Sequence, residues 1–464
     1  MEKEYRSIYF LGIGGIGMSA MARYFMHEGY AVAGYDRTAT PLTRELEREG
    51  AEIHYDDDPE LIPATMRNPE TTLVVLTPAI PADHREWAWL RERGFRIEKR
   101  SQMLGHLSTG KLVMAVAGTH GKTTTSTLAA WLNHAAAGEG NAFLGGISRN
   151  FASNLVLGEG RRLVVEADEY DRSFLRLHPD VAVITATDAD HLDIYGTVEA
   201  MVGAFEQFAA QIKEGGALIL KEGVELPFDS SKRKLYRYSC EAGGDFHAEN
   251  IELTEGGHYR YDIVLPDGRI EGCHLGILGK VHIENSVAAV AMLWCAARIE
   301  GKSLDKEAVK RALSSFEGVK RRMEVYINTP AQVYIDDYAH HPEELRATIE
   351  SLRGIFPERR LTAIFQPHLY TRTRDLAEGF AEVLDLADEV ILVPIYPARE
   401  EPIEGVSSEM IGAMLNKEWQ LVEREALAEW LRGHETDVVV TFGAGNIDAV
   451  CADIAEVLRN KTRD

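Results

Sequence analysis

The chain has 464 residues, 45% of them hydrophobic and 27% charged, with a formal net charge of −23 at pH 7. That composition belongs to a globular protein of two to four domains. The charge argues against a general nucleic-acid binder, but it leaves room for anionic ligands held by loop amides and a few placed cations. No apolar run reaches the ~20 residues that a bilayer span needs. Four scattered cysteines (Cys240, Cys273, Cys295 and Cys451) include no C-x-x-C pair, against structural zinc or a disulfide framework. The opening segment "MEKEYRSIYFLGIGG" lacks a signal-peptide pattern. We therefore expect a cytoplasmic chain with reduced thiols and neither membrane nor nucleic acid as partner.

The first stretch, "RSIYFLGIGGIGMSAMARYFMHEGYAVAGYD", predicts a strand, a glycine turn, a helix and a second strand. Gly12, Gly14 and Gly17 fit G-x-G-x-x-G, and Asp36 stands about 20 residues further on, where a ribose-binding acid is expected. Residues 71–80 predict another strand and loop. Such a glycine loop can serve a nicotinamide nucleotide or another nucleotide diphosphate, or it can simply pack a tight strand-to-helix turn.

The second stretch starts near Lys111. "KLVMAVAGTHGKTTTSTLAAWLNHA" reads as strand, loop and helix, with a phosphate loop of unusual spacing. Two residues separate Gly118 from Gly121, where the common pattern has four. The mechanism survives the shortening. Amides from Thr119 to Lys122 can line a concavity at a helix N-terminus. Lys122 can reach the β- and γ-phosphates, and Thr123 can ligate magnesium. "RRLVVEADEYD" and "DVAVITATDADHLDIYG" predict further strands ending in acids. Glu166 ends the first of these strands, with Asp168, Glu169 and Asp171 beside it. His191 follows the second, either at the site or as a satisfied core histidine. The alternation of strands and helices implies a parallel sheet covered on both faces. Residues 228–269 are expected to form β-rich turns.

The third stretch starts near Met323 and contains four strand-loop-helix units. "GVKRRMEVY" puts Lys320, Arg321 and Arg322 at its entrance, as a clamp on nucleotide or as a solvated linker. "DDYAHHP" and "QPHLYTRTRD" bring Asp336, Asp337, His340, His341, His368 and Arg372 to the rim beyond the strands' carboxyl ends, where such sheets bind ligands.

Taken together and in order, "LGIGGIGMS", "TPAIP", "GTHGKTTT", "EADEYD", "DADHLDIY", "RRMEV", "DDYAHHP", "FQPHLYTRT", "IYPAREEPIEGVS" and "GAGNID" resemble the Mur ligase family of ATP-dependent amide-bond ligases. The resemblance covers the whole length. It implies three α/β domains: a Rossmann-like domain over 1–107 that binds a UDP-sugar, a central P-loop ATPase-type domain with a mostly parallel sheet over 108–322 that binds ATP, and a Rossmann-like domain over 323–464 that binds an amino acid and closes over the nucleotide. The implied ligands are ATP, UDP-N-acetylmuramate and L-alanine, with Mg²⁺ or Mn²⁺, on a monomer or weak dimer.

The resemblance also implies roles for single residues. Gly12, Gly14, Gly15, Ile16, Gly17, Asp36, Thr77 and Asn154 would line the UDP-sugar path. Gly118, Thr119, His120, Gly121, Lys122, Thr123, Thr124, Asn285, Arg321, Arg322 and Asp337 would hold ATP. Thr123, Glu166 and His191 would hold the metal, Lys122 and His191 would serve catalysis, and His340, His368 and Arg372 would take the amino acid.

The chain departs from the family pattern in several places. Val281-His282 replaces the H-N that often precedes Asn285. Leu369 stands where alanine-adding members often have arginine. "EADEYD" also occurs in the relative that attaches a whole tripeptide. No lysine lies between His191 and Lys213, so Glu199 or Glu206 replaces the carbamylated lysine of some relatives, or that feature is absent. The readings left open are the tripeptide-adding ligase, a nicotinamide-dependent dehydrogenase and a non-catalytic nucleotide-binding regulator.

Overall fold

A computed structural model of the chain describes residues 5–188, 192–241, 243–398 and 400–461. The chain forms two compact units, one of residues 1–249, 262–273 and 284–317, the other of residues 250–261, 274–283 and 318–464.

The first unit begins with a five-stranded parallel sheet: β1 (Ser7–Leu11), β2 (Ala31–Tyr35), β3 (Glu52–His54), β4 (Thr72–Leu76) and β5 (Ile97–Lys99), in the order β3-β2-β1-β4-β5. β1 and β4 are buried along their whole length, which is why both read as unbroken apolar runs rather than alternating ones. The chain steps outward from β1 to β3 on one side, then returns to lay β4 and β5 on the other. A crevice therefore opens between the carboxyl ends of β1 and β4, the usual ligand position in such sheets.

The next sheet is built on β6 (Leu112–Ala117), β7 (Asn141–Ser148), β8 (Ser153–Val156), β9 (Arg162–Glu166), β10 (Val181–Ile184), β11 (Ala217–Lys221) and β12 (Lys234–Ser239), followed by β13 (Phe246–Leu253), β14 (Tyr259–Leu265) and β15 (Gly268–His274). Its order is β15-β14-β13-β12-β11-β10-β6-β9-β7-β8. The last strands come from the segment expected to be β-rich. β6 lies parallel between β9 and β10, so the loop that leaves β6 is flanked by the ends of both. The antiparallel β7–β8 pair has no clear signal in the sequence. Gly145 and Gly146 interrupt the apolar run of β7, and glycine weakens the strand signal.

The second unit carries β16 (Glu324–Asn328), β17 (Val333–Asp337), β18 (Leu361–Phe365), β19 (Glu389–Leu392), β20 (Trp419–Leu421) and β21 (Val438–Phe442), in the order β16-β17-β21-β18-β19-β20. β17, β21, β18 and β19 are the four expected strands and run parallel; β16 is an antiparallel edge. Alternate residues of β18 serve two cores. Ala363 and Phe365 pack with Leu345, Ile349 and Leu352, whereas Ile364 packs with Leu427, Ile454 and Leu458. Helices thus cover both faces. Among the described residues no helix is long and apolar enough to cross a membrane.

Candidate functional site

The loop after β6 is held open by its backbone. Gly118 takes φ +129°, and a Cβ there would come within 2.2 Å of Thr185 Oγ1 and 2.8 Å of the Ala186 amide. Only glycine fits such a position. Thr185, just past β10, donates to the carbonyls of Ala117 (3.2 Å) and His120, which ties the loop to the neighbouring strand. The helix Lys122–Ala137 starts from Gly121 in the left-handed region, leaving its first amides for a ligand. Thr119 Oγ1 is buried without a hydrogen-bond partner among the described residues. Asn285 Oδ1 accepts from Thr125 Oγ1 at 3.2 Å and lies close to Gly121.

Lys122 Nζ donates to the Gly118 carbonyl and to Glu169 Oε1, both at 2.6 Å. Glu169 is fully buried. Burial pushes its carboxyl pKa up, and the Lys122 ammonium pulls it back. Beside this pair, Glu166 at the end of β9 accepts from Thr123 Oγ1 (3.1 Å), Ser126 Oγ (3.2 Å) and the Gly145 amide (3.2 Å). A carboxylate and two hydroxyls on one side of a phosphate loop are hard oxygen donors. They fit Mg²⁺ or Mn²⁺ and not a soft metal. Among the described residues no three His, Cys, Asp or Glu side chains form a ready cage. His191 lies outside the described residues. Glu199 and Glu206 lie on the helix Val198–Ala210.

The glycine loop leaves β1 into the crevice. Asp36, at the end of β2, accepts from the Gly14 amide at 2.8 Å and from the Thr38 amide at 3.3 Å; its carboxylate shapes the loop. Thr77, past β4, donates its amide to the Leu11 carbonyl at 3.2 Å. A cavity of about 240 Å³ runs from Gly15, Ile16, Gly17 and Thr77 to Gly145 and Glu166, so glycine loop and metal-type donors line one cavity. Asn154 is placed differently. It is fully buried, donates to the Ile16 carbonyl and to Ser19 Oγ (2.9 Å), and accepts from Arg23 at 2.7 Å. It braces the helix Ile16–His27 from beneath, rather than facing the cavity.

In the second unit Arg321 is turned inward. Its backbone takes φ +62°. Its guanidinium donates to buried Asp336 at 3.2 Å and to the carbonyls of Gly443 and Gly445. Tyr338 lies under both Arg321 and Arg322, at 5.1 and 5.3 Å, a cation–π arrangement. Asp337 is buried at the end of β17, accepting from Thr348 Oγ1 (2.6 Å) and the Ala339 amide (3.2 Å). Burial pushes its pKa up to about 6.

His340, His368 and Arg372 do come together. The two imidazoles meet edge to face at 6.1 Å, and Arg372 reaches His368 Nδ1 at 3.3 Å. Tyr396 stacks on His368 at 5.8 Å. Leu369 takes φ +71°, unusual for a branched side chain, and donates its amide to the Tyr396 carbonyl at 3.0 Å. The turn places His368 beside Tyr396 and Arg372. Burial and the adjacent Arg372 push the His368 pKa down to about 4. Glu169, Ser126, Thr185 and Tyr396 do not stand out in the sequence as ligands or supports. Each acts through a partner on another strand or loop, which no local motif displays.

Three family models match consecutive segments: "Mur ligase family, catalytic domain" over 7–111, "Mur ligase middle domain" over 116–293, and "Mur ligase, glutamate ligase domain" over 321–445. The chain is similar to a UDP-N-acetylmuramate–L-alanine ligase of Phocaeicola vulgatus, 49% identical over 460 residues covering 98% of this chain and 99% of the relative. A protein of the same name from Parabacteroides distasonis is 46% identical, with 98% of each chain covered. Among solved structures, a UDP-N-acetylmuramate-alanine ligase of Thermotoga maritima matches with TM-score 0.81 at 27% identity, covering 99% of this chain and all of that one. A murein peptide ligase of Psychrobacter arcticus shares the fold, with TM-score 0.67 at 23% identity and 98% and 99% coverage.

Proposed function

This chain belongs to the Mur ligase family, and from that premise we propose that it joins L-alanine to UDP-N-acetylmuramate with cleavage of ATP, in the synthesis of peptidoglycan precursors. The observation that carries the reading is the 49% identity, spread over 98% of the chain, to a ligase of that name. Membership of this family leaves no place for a nicotinamide-dependent dehydrogenase.

The chemistry explains the arrangement. A carboxylate is a poor acyl donor, because oxide would have to leave. Transfer of the γ-phosphoryl group of ATP to the lactyl carboxylate gives an acyl phosphate and ADP. Two anions must meet for this, so positive charge has to be fixed where they touch. Lys122 provides it from the phosphate loop, with the loop amides of His120 to Lys122 and with Thr124 at the helix start; the Thr119 amide, expected to join them, instead serves the Ala186 carbonyl at 3.1 Å. Thr123 and Glu166, with His191, would hold Mg²⁺, which screens the phosphate oxygens when bound. The neutral amine of L-alanine then attacks the acyl carbon, and inorganic phosphate leaves from the tetrahedral intermediate.

The remaining residues bind and position. Gly12, Gly14, Gly15, Ile16, Gly17 and Thr77 take the sugar nucleotide, with Asp36 and Asn154 holding the shape of that loop and helix. Asn285 and Arg322 contact the ATP nucleotide, while Arg321 and Asp337 fix the backbone around Tyr338. His340, His368 and Arg372 receive the amino acid, with Arg372 as the partner of its carboxylate. The functional division falls at 1–107, 108–322 and 323–464. We take the activity to be cytoplasmic, where ATP and nucleotide sugars are made, and the chain to act as a monomer or weak dimer.

Mass spectrometry of the product formed from ATP, UDP-N-acetylmuramate and a mixture of amino acids and peptides tests the reading. We expect the L-alanine adduct with stoichiometric ADP and phosphate. A tripeptide adduct in its place would transfer the chain to the recycling activity.

A further inference from the structure

In the second unit, the guanidinium of Arg321 works in three directions. Nε donates to Asp336 at 3.2 Å, Nη1 to the Gly445 carbonyl at 3.0 Å, and Nη2 to the Gly443 carbonyl. Asp336 is fully buried and the arginine side chain is 16% exposed. The other oxygen of Asp336 accepts from Thr441 Oγ1, on β21, at 2.7 Å. One planar fork, itself fixed by a braced carboxylate, therefore grips the loop that leaves β21 at two carbonyls. Lysine, with a single compact ammonium, cannot hold all three acceptors in that geometry.

The gripped loop lies tight against the histidine cluster. A Cβ on Gly443 would come within 2.7 Å of the Gln366 carbonyl oxygen, and one on Gly445 within 2.6 Å of both Gln366 Oε1 and Tyr396 Cβ. Tyr396 is tied in turn to the segment after β18. Its amide donates to the Pro367 carbonyl at 2.9 Å, and its carbonyl accepts from the Leu369 amide at 3.0 Å. Its ring stacks on His368 with 18° between the planes, and His368 meets Arg372 at 3.3 Å. Close-packed groups leave no slack to absorb a shift, so a displaced Gly445 displaces Tyr396, and Tyr396 displaces the imidazole. We propose that Arg321 is a positioning residue for the amino-acid site, acting on His368 and Arg372 through Gly445 and Tyr396 rather than touching the nucleotide. This rests on the reading that the chain takes L-alanine at that cluster, and it adds the group outside the cluster that sets its shape.

The test is a double-mutant cycle read in steady-state kinetics of the full chain, with ATP, UDP-N-acetylmuramate and L-alanine varied in turn. Arg321→Lys keeps the charge beside Asp336 but releases the loop. It should raise the L-alanine KM about tenfold and leave the other two KM values within about twofold. Tyr396→Ala should do the same. With the ring gone, the loop has lost its lever on His368, so the double variant should stay within about twofold of Tyr396→Ala alone. Effects that multiply in the double variant would overturn the proposal, because Arg321 would then act by another route. An unchanged L-alanine KM in Arg321→Lys would overturn it, and so would an equal rise in the ATP KM, which marks a nucleotide contact or a general loss of structure. Where circular dichroism shows that Arg321→Lys does not fold, Gly445→Ala decides. That change keeps the guanidinium and pushes a methyl against Tyr396, so the L-alanine KM should rise selectively, and an unchanged value overturns the proposal. If the unaltered chain forms no product with L-alanine, the proposed function falls and this assignment with it. An active unaltered chain with insensitive variants removes the Arg321 assignment alone.

Discussion

Lys122 and Glu169 form an ion pair of 2.6 Å beneath the phosphate loop, and the same ammonium donates to the Gly118 carbonyl at 2.6 Å. Glu169 is fully buried, whereas Lys122 keeps 15% of its side chain exposed. The lysine proposed to meet the terminal phosphates therefore already has an anion. That anion belongs to the loop after β9, whose preceding residues include Glu166 on Thr123. Glu169 keeps the cation extended under the loop, and on the proposed function it would compete with the phosphate for it.

The competition can be measured with Glu169→Gln. Removing one partner of a buried pair leaves the other charge uncompensated, at a cost of about 1–3 kcal/mol once the partial exposure of Lys122 is allowed for. The nucleotide-free protein should have a lower thermal midpoint. A Mg·ATP analogue supplies the missing anion, so its stabilising shift should exceed that of the unaltered protein. Equal shifts in the two proteins would mean that Glu169 does not compete.

Lys122→Ala removes the fixed charge from the meeting point of two anions. Deleting one such electrostatic group costs on the order of 10²–10³ in turnover. Phosphate release should fall by at least that factor, with UDP-N-acetylmuramate affinity nearly unchanged because the proposed sugar-nucleotide site is at another loop. A variant with normal turnover would contradict the charge argument.

The shortened phosphate loop makes Gly118→Ala a sharp test of backbone shape. The added methyl meets Thr185 Oγ1 at 2.2 Å and sits on a backbone at φ +129°, so the loop must shift or the strand ends must part. ATP binding should be lost while UDP-N-acetylmuramate binding remains, as read by titration with each ligand. Gly138→Ala, past the end of the same helix with open space around it, is the control and should bind ATP normally.

Much of this architecture is legible in the sequence because its signals are local. The strand at 112–117, the turn at Gly118 and Gly121 and the helix from Lys122 lie in one short run of residues, and apolar strand runs announce buried parallel sheets. What escapes a linear reading depends on distant partners. Glu169 reads as one acid among several, and only the fold sets it under Lys122. Asn154 is expected on the sugar-nucleotide path, yet it is fully buried because Ile16, Ser19 and Arg23 offer it partners across the unit. Arg321 reads, with Lys320 and Arg322, as a clamp on nucleotide or a solvated linker, but Asp336 and two glycine carbonyls draw it inward. A charged residue is expected outside unless its partners are known, and the partners are what the sequence alone does not display.

In the second unit, Arg372 lies against His368, whose lowered pKa leaves it neutral near pH 7. Arg372 is then the group at this cluster able to bind a carboxylate bidentately. Arg372→Ala should raise the amino-acid KM by about tenfold or more and leave the ATP KM within experimental scatter. Steady-state kinetics with each substrate varied in turn decides this, and a larger effect on ATP would place the amino acid elsewhere.

The same histidine gives a pH signature whose sign can be worked out. In the folded chain His368 titrates near 4, against 6.5 for the free side chain, because burial and Arg372 oppose its charge. Between these values the unfolded chain binds more protons, so this group makes the fold less stable as pH falls from 6.5 to 4. Asp337 acts oppositely. Burial raises it to about 6 from 3.8, so over that range the folded chain binds more protons and acid favours the fold. The two partly cancel in any single melting series, and a comparison with His368→Gln separates them. The thermal midpoint of the unaltered protein minus that of His368→Gln should decrease steadily as pH is lowered from about 6.5 to about 4. A difference that stays constant across that range would show that His368 titrates alike in the folded and unfolded chains.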